Sequence, residues 1–284
     1  MKQQEVIYHI KKNGYVLLNN VLDDKQCESY KTMLNQDAEK YSSFHAGSQN
    51  TDHGLNDKSM EKIVYNLHNK HIEYFDLCDH PKVFPVINKM LQEGSYQNLS
   101  QINLIGFDAR NPSKNSKPQQ LHLDSSLPGQ GGYPLMMVVM FMLDDFTKEN
   151  GCTRIIPCSH LRSDFAENNK KYDEEISVEA KQGSALIFDG SLWHGGGGKT
   201  SDASRWAVIP TYGRSFIKPA FNFTENIPSN IFNQLTDESV ASSSTRTSDD
   251  SIDWTNNSKM INPDNNYFKL VYNSTSYTVY LTSY

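Results

Sequence analysis

In Gln119-Gln120-Leu121-His122-Leu123-Asp124-Ser125, polar and apolar side chains alternate from Gln120 onward. Alternation with period two marks a strand with one face buried, and residues two apart project from the same face. The stretch predicts a strand over 120–124 that aims His122 and Asp124 into one cavity. The surrounding segments agree. Runs at 102–107, 135–143, 153–156, 185–188 and 206–211 are apolar or β-branched, with Gly, Pro, Asn and Asp clusters between them.

Ahead of residue 100 the texture is mostly helical. A short strand over 15–22 precedes Asp23, which with Gln26 forms a capping-box pattern opening a helix over 24–40. Helical spacing returns over 60–77 and over 81–94, the latter with Pro81 in its first turn and Gly94 as terminator. Helices first and short strands later predict an α+β fold. Its β half is expected as a jelly-roll-type double sheet with flanking N-terminal helices. The expected organisation is one domain over 1–235, helical over 1–98 with the β core over 99–220. A polar loop and a strand-like extension ending in a hairpin occupy 236–284. The polar stretch 41–60 is expected to be a loop, and loops of that length often cover a site.

With 37% hydrophobic and 21% charged residues over 284 positions, the chain has the composition of a folded globular protein. A net charge of −6 argues against a general nucleic-acid binder. No apolar run reaches the roughly 20 residues of a membrane span, and the N-terminus lacks a secretory pattern. Cys27, Cys78, Cys152 and Cys158 are too scattered for a disulfide framework or a zinc site, so they are expected as reduced thiols in a cytoplasmic protein.

An HxD tripeptide alone arises often by chance. Here His194 follows the apolar run Leu186-Ile187-Phe188 and opens into Gly195-Gly196, where a cosubstrate meets no side chains. Arg205 stands eleven residues further on. Two imidazoles and one carboxylate hold iron(II) while leaving positions open for an oxidant and dioxygen. A guanidinium is a permanent cation suited to clamping a carboxylate. The set points to an iron(II)- and 2-oxoglutarate-dependent oxygenase in which His122, Asp124 and His194 bind the metal and carry the chemistry. Arg205 would hold the cosubstrate, and Gln119 and Asn103, on strands expected to flank the cavity, would donate amide hydrogen bonds. Three other readings compete. The histidines would be hydrogen-bonded in a β core with Arg205 in a structural ion pair, or the fold would be a non-catalytic jelly-roll module for a ligand such as a sugar. A zinc hydrolase could use the same ligands, but would give Arg205 no role.

The chain resembles the phytanoyl-CoA dioxygenase (PhyH) family of iron(II) and 2-oxoglutarate oxygenases. The resemblance is carried by Gly14-Tyr15-Val16-Leu17, by Leu121-His122-Leu123-Asp124 and by the segment from Asp145-Phe146-Thr147-Lys148-Glu149-Asn150-Gly151 to Ile156-Pro157-Cys158-Ser159-His160. It closes with His194-Gly195-Gly196 and Arg205, and spans roughly residues 10 to 220. It implies a double-stranded β-helix, iron on His122, Asp124 and His194, and Arg205 on the distal carboxylate of 2-oxoglutarate. Cys158 departs from the glycine usual in the family's Pro-Gly-Ser-His turn, and His160 in that turn reads as structural. A small-molecule substrate is expected, with no basic cluster for a coenzyme A moiety.

Overall fold

The computed structural model describes residues 2–41, 61–95, 102–129, 133–219, 227–236, 261–262, 267–272 and 275–280. The polar stretch 42–60, with His45 and His53, and residues 237–260 lie outside the described residues. The chain divides into two compact units, Met1–Tyr65 with Asp108–Ile209 and Asn66–Phe107 with Pro210–Tyr284.

The first unit begins with α1 (Gln3–Asn13), which buries Val6 and Ile10 one turn apart and ends at Gly14 in the left-handed region at φ 88°. Glycine is required there. A side chain would run into Leu192 and His160, within 2.6 Å of both. Next come β1 (Tyr15–Leu18) and α2 (Asp24–Lys40). The capping box is as read: Asp23 Oδ1 accepts from Gln26 N–H at 2.8 Å and Gln26 Oε1 from Asp23 N–H at 2.9 Å. After β2 (Glu61–Val64) and the second half of β3 (Ile102–Pro112) come β4 (Met136–Met142), β5 (Thr153–Ile155) and β6 (Ile176–Ser177). Then follow β7 (Ala185–Asp189), β8 (His194–Gly196) and the start of β9 (Ala207–Arg214).

One antiparallel sheet runs β1–β7–β4, with Tyr15 opposite Phe188 and Phe141 opposite Ala185. A smaller one runs β6–β5–β8, with Ile155 opposite His194. Val138, Met140 and Met142 of β4 and Leu186 and Phe188 of β7 share a core with Ile155, Phe146 and Val178. Every residue of β7 is buried, and six of the seven in β4, which is why both read as near-continuous apolar runs. This α+β arrangement, helices followed by two antiparallel sheets around one core, is a double-stranded β-helix of the jelly-roll kind.

The second unit contains α3 (Phe75–Cys78), α4 (Phe84–Gln92), the first half of β3 and the remainder of β9. It ends with α5 (Ser229–Thr236), β10 (Ile261–Asn262), β11 (Tyr267–Tyr272) and β12 (Thr275–Tyr280). The terminal hairpin forms, with Tyr267 opposite Tyr280, and β12 runs parallel to β3 at Val279 and Ile102. Buried Tyr212 donates its hydroxyl to the Cys78 carbonyl at 2.7 Å. No helix among the described residues is long and apolar enough to cross a membrane.

Two expected elements differ. The helix over 60–77 is replaced by β2, two short 3-10 turns and α3. Its β-branched Ile63 and Val64 pair with Arg110 and Ala109 of β3, and Asn66 at φ 57° breaks the chain direction. Residues 120–124 form a single bridge at His122 instead of a strand, because the chain turns immediately afterwards.

Candidate metal centre

The turn after His122 brings the centre together. His122 and His194 exchange two backbone hydrogen bonds of 2.9 Å, one in each direction. The N–H groups of Asp124 and Ser125 then converge on the Gly190 carbonyl at 2.8 and 2.9 Å. Behind them, Ser125 and Ser191 hydroxyls lie 3.0 Å apart, and Ser191 N–H donates to Asp189 Oδ1 at 2.8 Å. Backbone contacts with the chain just after β7 therefore hold His122 and Asp124 on one side, in place of the predicted strand pleat.

Each imidazole is oriented through its other nitrogen. His122 Nδ1 lies 3.0 Å from the Gln120 carbonyl and His194 Nδ1 2.9 Å from the Leu192 carbonyl. A carbonyl only accepts, so both Nδ1 atoms carry a proton and Nε2 is the nitrogen each ring turns toward Asp124. His122 Nε2 is 3.8 Å from Asp124 Oδ1 and His194 Nε2 is 3.5 Å from Asp124 Oδ2. All three ligand atoms lie within 4.8 Å of one another. Bonds of about 2.1 Å to one ion put its donors roughly 3–3.5 Å apart, so the set needs only a slight contraction to hold one. Exposure is graded, with side chains 9% accessible at His194, 20% at His122 and 34% at Asp124, so the centre is closed behind and open in front.

Arg205 is buried, yet it is held mostly by uncharged groups. Its Nε donates to the Gly151 carbonyl at 3.1 Å, its backbone N–H to Asn111 Oδ1, and its guanidinium carbon sits 4.5 Å from the centre of the Phe146 ring. Its terminal Nη atoms carry no hydrogen bond among the described residues. Burial lowers its pKa to about 10, with Glu61 acting the other way, so it remains a cation at neutral pH. An anion fits a buried guanidinium edge of this kind. The expectation of a structural ion pair for Arg205 fails, since no carboxylate among the described residues lies within 4 Å of it.

Gln119 acts like a strand neighbour. Its N–H donates to the Gly196 carbonyl at 3.0 Å and its Oε1 accepts from Gly196 N–H at 2.7 Å, tying it to β8 two residues beyond His194. Asn103 belongs to the second unit, where its amide donates to the carbonyls of Ser215 and Ile217 at 3.0 and 3.2 Å. Both its amide hydrogens are committed, and the expected donation to cosubstrate is set aside. His160 is structural, with Nε2 3.1 Å from the Lys11 carbonyl. Cys158 adopts φ 65°, the left-handed conformation that glycine would supply, and its N–H and Sγ–H donate to the carbonyls of Asn13 and Lys12.

Three charged residues of the first unit were not foreseen. Asp108, Arg110 and Glu61 form an ion-paired ladder on β3 and β2. Asp108-Ala109-Arg110 does carry the period-two signal, but in a polar tail beyond 102–107. Glu61 fell in a segment that reads as helical.

A family model described as Phytanoyl-CoA dioxygenase (PhyH) matches residues 10–207. An uncharacterized protein of Mycobacterium tuberculosis is 28% identical over 153 residues, which are 53% of this chain and 55% of the relative. The chain thus matches about half the length of that relative. Other curated relatives carry the name dioxygenase at 23–33% identity. Among solved structures, HygX from Streptomyces hygroscopicus with nickel, 2-oxoglutarate and hygromycin B bound aligns at TM-score 0.59 and 14% identity, over 76% of this chain and 88% of HygX. The epimerase SnoN in complex with Fe3+, alpha ketoglutarate and nogalamycin RO aligns at TM-score 0.57 and 18% identity, over 80% of this chain and 90% of SnoN. At such identities the structural likeness speaks for the fold. The family match covers well over half the chain, and on it the chain belongs to the phytanoyl-CoA dioxygenase family.

Proposed function

We propose that the chain is an iron(II)- and 2-oxoglutarate-dependent dioxygenase that hydroxylates a C–H bond of a small molecule. The observation that carries this is a three-residue ligand set in one unit with a buried guanidinium that has no carboxylate within 4 Å among the described residues. Two imidazoles and one carboxylate with ligand atoms within 4.8 Å of one another suit a metal, and Arg205 suits an anion. Bound there, iron(II) with 2-oxoglutarate and dioxygen supplies the oxidising equivalent, and the cosubstrate leaves as succinate and carbon dioxide.

The chain's own residues do the rest. His122 and His194 present their Nε2 atoms because Gln120 and Leu192 carbonyls hold the opposite nitrogens. Asp124 supplies the anionic ligand, and its carboxylate occupies the position that a halogenating relative leaves open, which favours hydroxylation. Arg205 pairs the distal carboxylate of the cosubstrate, in a setting where burial excludes competing water. Gly195 and Gly196 let the Gln119–Gln120 chain pack directly against β8, since a side chain at either would meet it within 3.3 Å. The free cysteines fit a reducing compartment such as the cytoplasm.

An anaerobic titration tests the reading: iron(II) plus 2-oxoglutarate should raise a weak visible charge-transfer band, followed by oxygen-dependent succinate release. Arg205→Ala should weaken 2-oxoglutarate by at least about 30-fold, the loss typical when one member of a buried charged pair is truncated. An unchanged cosubstrate affinity would remove Arg205 from the role. Absence of any band would favour a non-catalytic binding module.

A further inference from the structure

Both rings of the centre are oriented by a carbonyl two residues earlier in the chain, Gln120 for His122 and Leu192 for His194. In a regular strand such a carbonyl is spent on the neighbouring strand, so each segment has to release it. For His194 the release is a turn, closed by Leu192 N–H on the Asp189 carbonyl at 2.9 Å just before β8 begins. For His122 it is a slip in register.

His122 and His194 form an antiparallel pair, and an unbroken ladder would next pair Gln120 with Gly196. Gln119 takes that place. Its N–H donates to the Gly196 carbonyl at 3.0 Å, and its side-chain Oε1 accepts from Gly196 N–H at 2.7 Å. Gln120 and Leu121 together therefore oppose Gly195 alone, as at a β-bulge. The Gln120 carbonyl, displaced from Gly196 by a side-chain oxygen, turns instead to His122 Nδ1 at 3.0 Å.

Arg154 stands at the slip. It lies on β5 opposite Gly195, and its Nη2 comes 3.5 Å from the position a Cβ on Gly195 would take. Nη2 donates to the Gln119 carbonyl, Nε to the Gly196 carbonyl at 3.4 Å and Nη1 to Glu175 Oε1 at 2.8 Å. One planar fork thus bridges the two chain segments that carry the histidines. The Gln120 side chain is anchored as well: Nε2 donates to Asn169 Oδ1 and Oε1 accepts from Asn169 N–H, both at 2.8 Å.

We propose that Gln119 and Arg154 are positioning residues for His122 as a metal ligand, holding a one-residue slip that presents the Gln120 carbonyl to its ring. This rests on the metal reading above for what the ring binds, and on hydrogen-bond register alone for how the ring is held.

Two measurements on the full-length protein test it. Without metal, the His122 Hδ1 proton should give a slowly exchanging NMR signal, assigned by its loss in His122→Gln, with that of His194 as an internal control. Gln119→Met, similar in size but without the acceptor, should weaken or abolish the His122 signal and leave that of His194. Calorimetric titration of iron(II) under argon should show an affinity at least about tenfold weaker in this variant, the lower end of the loss usual when a group that orients a ligand is removed. Gln119→Glu keeps the acceptor and should bind iron(II) within about threefold of the parent. Arg154→Lys keeps a charge facing Glu175 but loses the fork. It should lie between the other two variants, and it decides the question should Gln119→Met fail to fold. A parent without the His122 signal, or either measurement unchanged in both Gln119→Met and Arg154→Lys, would overturn the proposal and leave the slip a structural tie to β8. If the parent binds no iron(II), the metal reading fails separately, and the proton signal still decides whether the slip orients the ring.

Discussion

The His122–Asp124–His194 centre and the Glu61–Arg110–Asp108 ladder both gather titratable side chains in the first unit, but they treat charge differently. In the ladder the cation is built into the chain, and both carboxylates contact it within 3.1 Å. In the centre one carboxylate faces two imidazoles, whose Nδ1 protons are already spent on carbonyls. The ladder is held together by its own residues. The centre has ligand atoms within 4.8 Å of one another, and on the proposed reading it is completed by a metal ion. Exposure follows the same division, since Asp124 at 34% can lie unpaired in water and the ladder's carboxylates at 10% and 16% cannot.

The largest expected effect breaks the centre. Asp124→Ala and His194→Ala should abolish 2-oxoglutarate turnover. They should also remove the stabilisation that iron(II) gives the parent, about 2.7 kcal/mol at a metal concentration 100 times Kd. Without metal, Asp124→Ala should change stability by less than about 1 kcal/mol, because an exposed carboxylate with no cation contributes little. Anaerobic thermal unfolding with and without iron(II), beside a succinate assay, reads both. Equal metal stabilisation in parent and variants would show that the three side chains do not bind it.

The ladder should respond in the opposite sense. Arg110→Met leaves two largely buried carboxylates facing each other without a cation. Removing one member of a buried pair typically costs about 3–5 kcal/mol, and the partial exposure of Arg110 places the expected loss near the lower end. Urea unfolding at neutral pH measures it. Adding Glu61→Gln to that variant should recover part of the loss, and the recovery should vanish at acid pH where both carboxyls are protonated. A loss below about 1 kcal/mol would mean that the ladder is solvated like the centre.

These two clusters also differ in how far the sequence reveals them. His122-Leu123-Asp124 is a local pattern with a distinctive residue pair, and His194 and Arg205 stand at recognisable strand ends, so the clustering of the three side chains and the burial of Arg205 follow signals the sequence carries. Even there the reason was incomplete, since the side chains share a direction through the Gly190 and His194 backbone contacts and not through strand pleating. The ladder depends on β2 pairing with β3 across more than forty residues, with Glu61 in a segment whose apolar spacing suits a helix equally well. Asn103 shows the converse. Its residue type and strand position suggested a donor, but the carbonyls of Ser215 and Ile217, over a hundred residues away, take both hydrogens. Local signals such as the Asp23–Gln26 box and the apolar runs of β4 and β7 translated directly, because they need no distant partner to be read.

Asp189 is the intermediate case, a carboxyl that is buried like the ladder's but has no ion-pair partner among the described residues. It relies on Ser191, whose backbone N–H donates to Oδ1 at 2.8 Å. Burial raises its pKa from 3.8 to about 6, the Ser191 hydrogen bonds offsetting only part of the rise. The folded state therefore holds the proton more tightly than the unfolded chain. Its contribution to stability is full below pH 3.8 and is lost as pH rises through about 6. Asp189→Asn removes the titration but keeps an oxygen that can accept from Ser191. Relative to the parent, the variant should gain stability as pH is raised between those values and stay level above them. The gain is on the order of 2 kcal/mol, a pKa shift of this size less the weaker hydrogen bond to a neutral acceptor. Urea midpoints of both proteins at pH 4, 5, 6 and 7 give the difference directly, with the other carboxyls cancelling. A difference that stays flat across this range would show that Asp189 has found a counter-charge or solvent. The distinction between carboxylates neutralised by the chain and carboxylates awaiting a ligand would then need a third member.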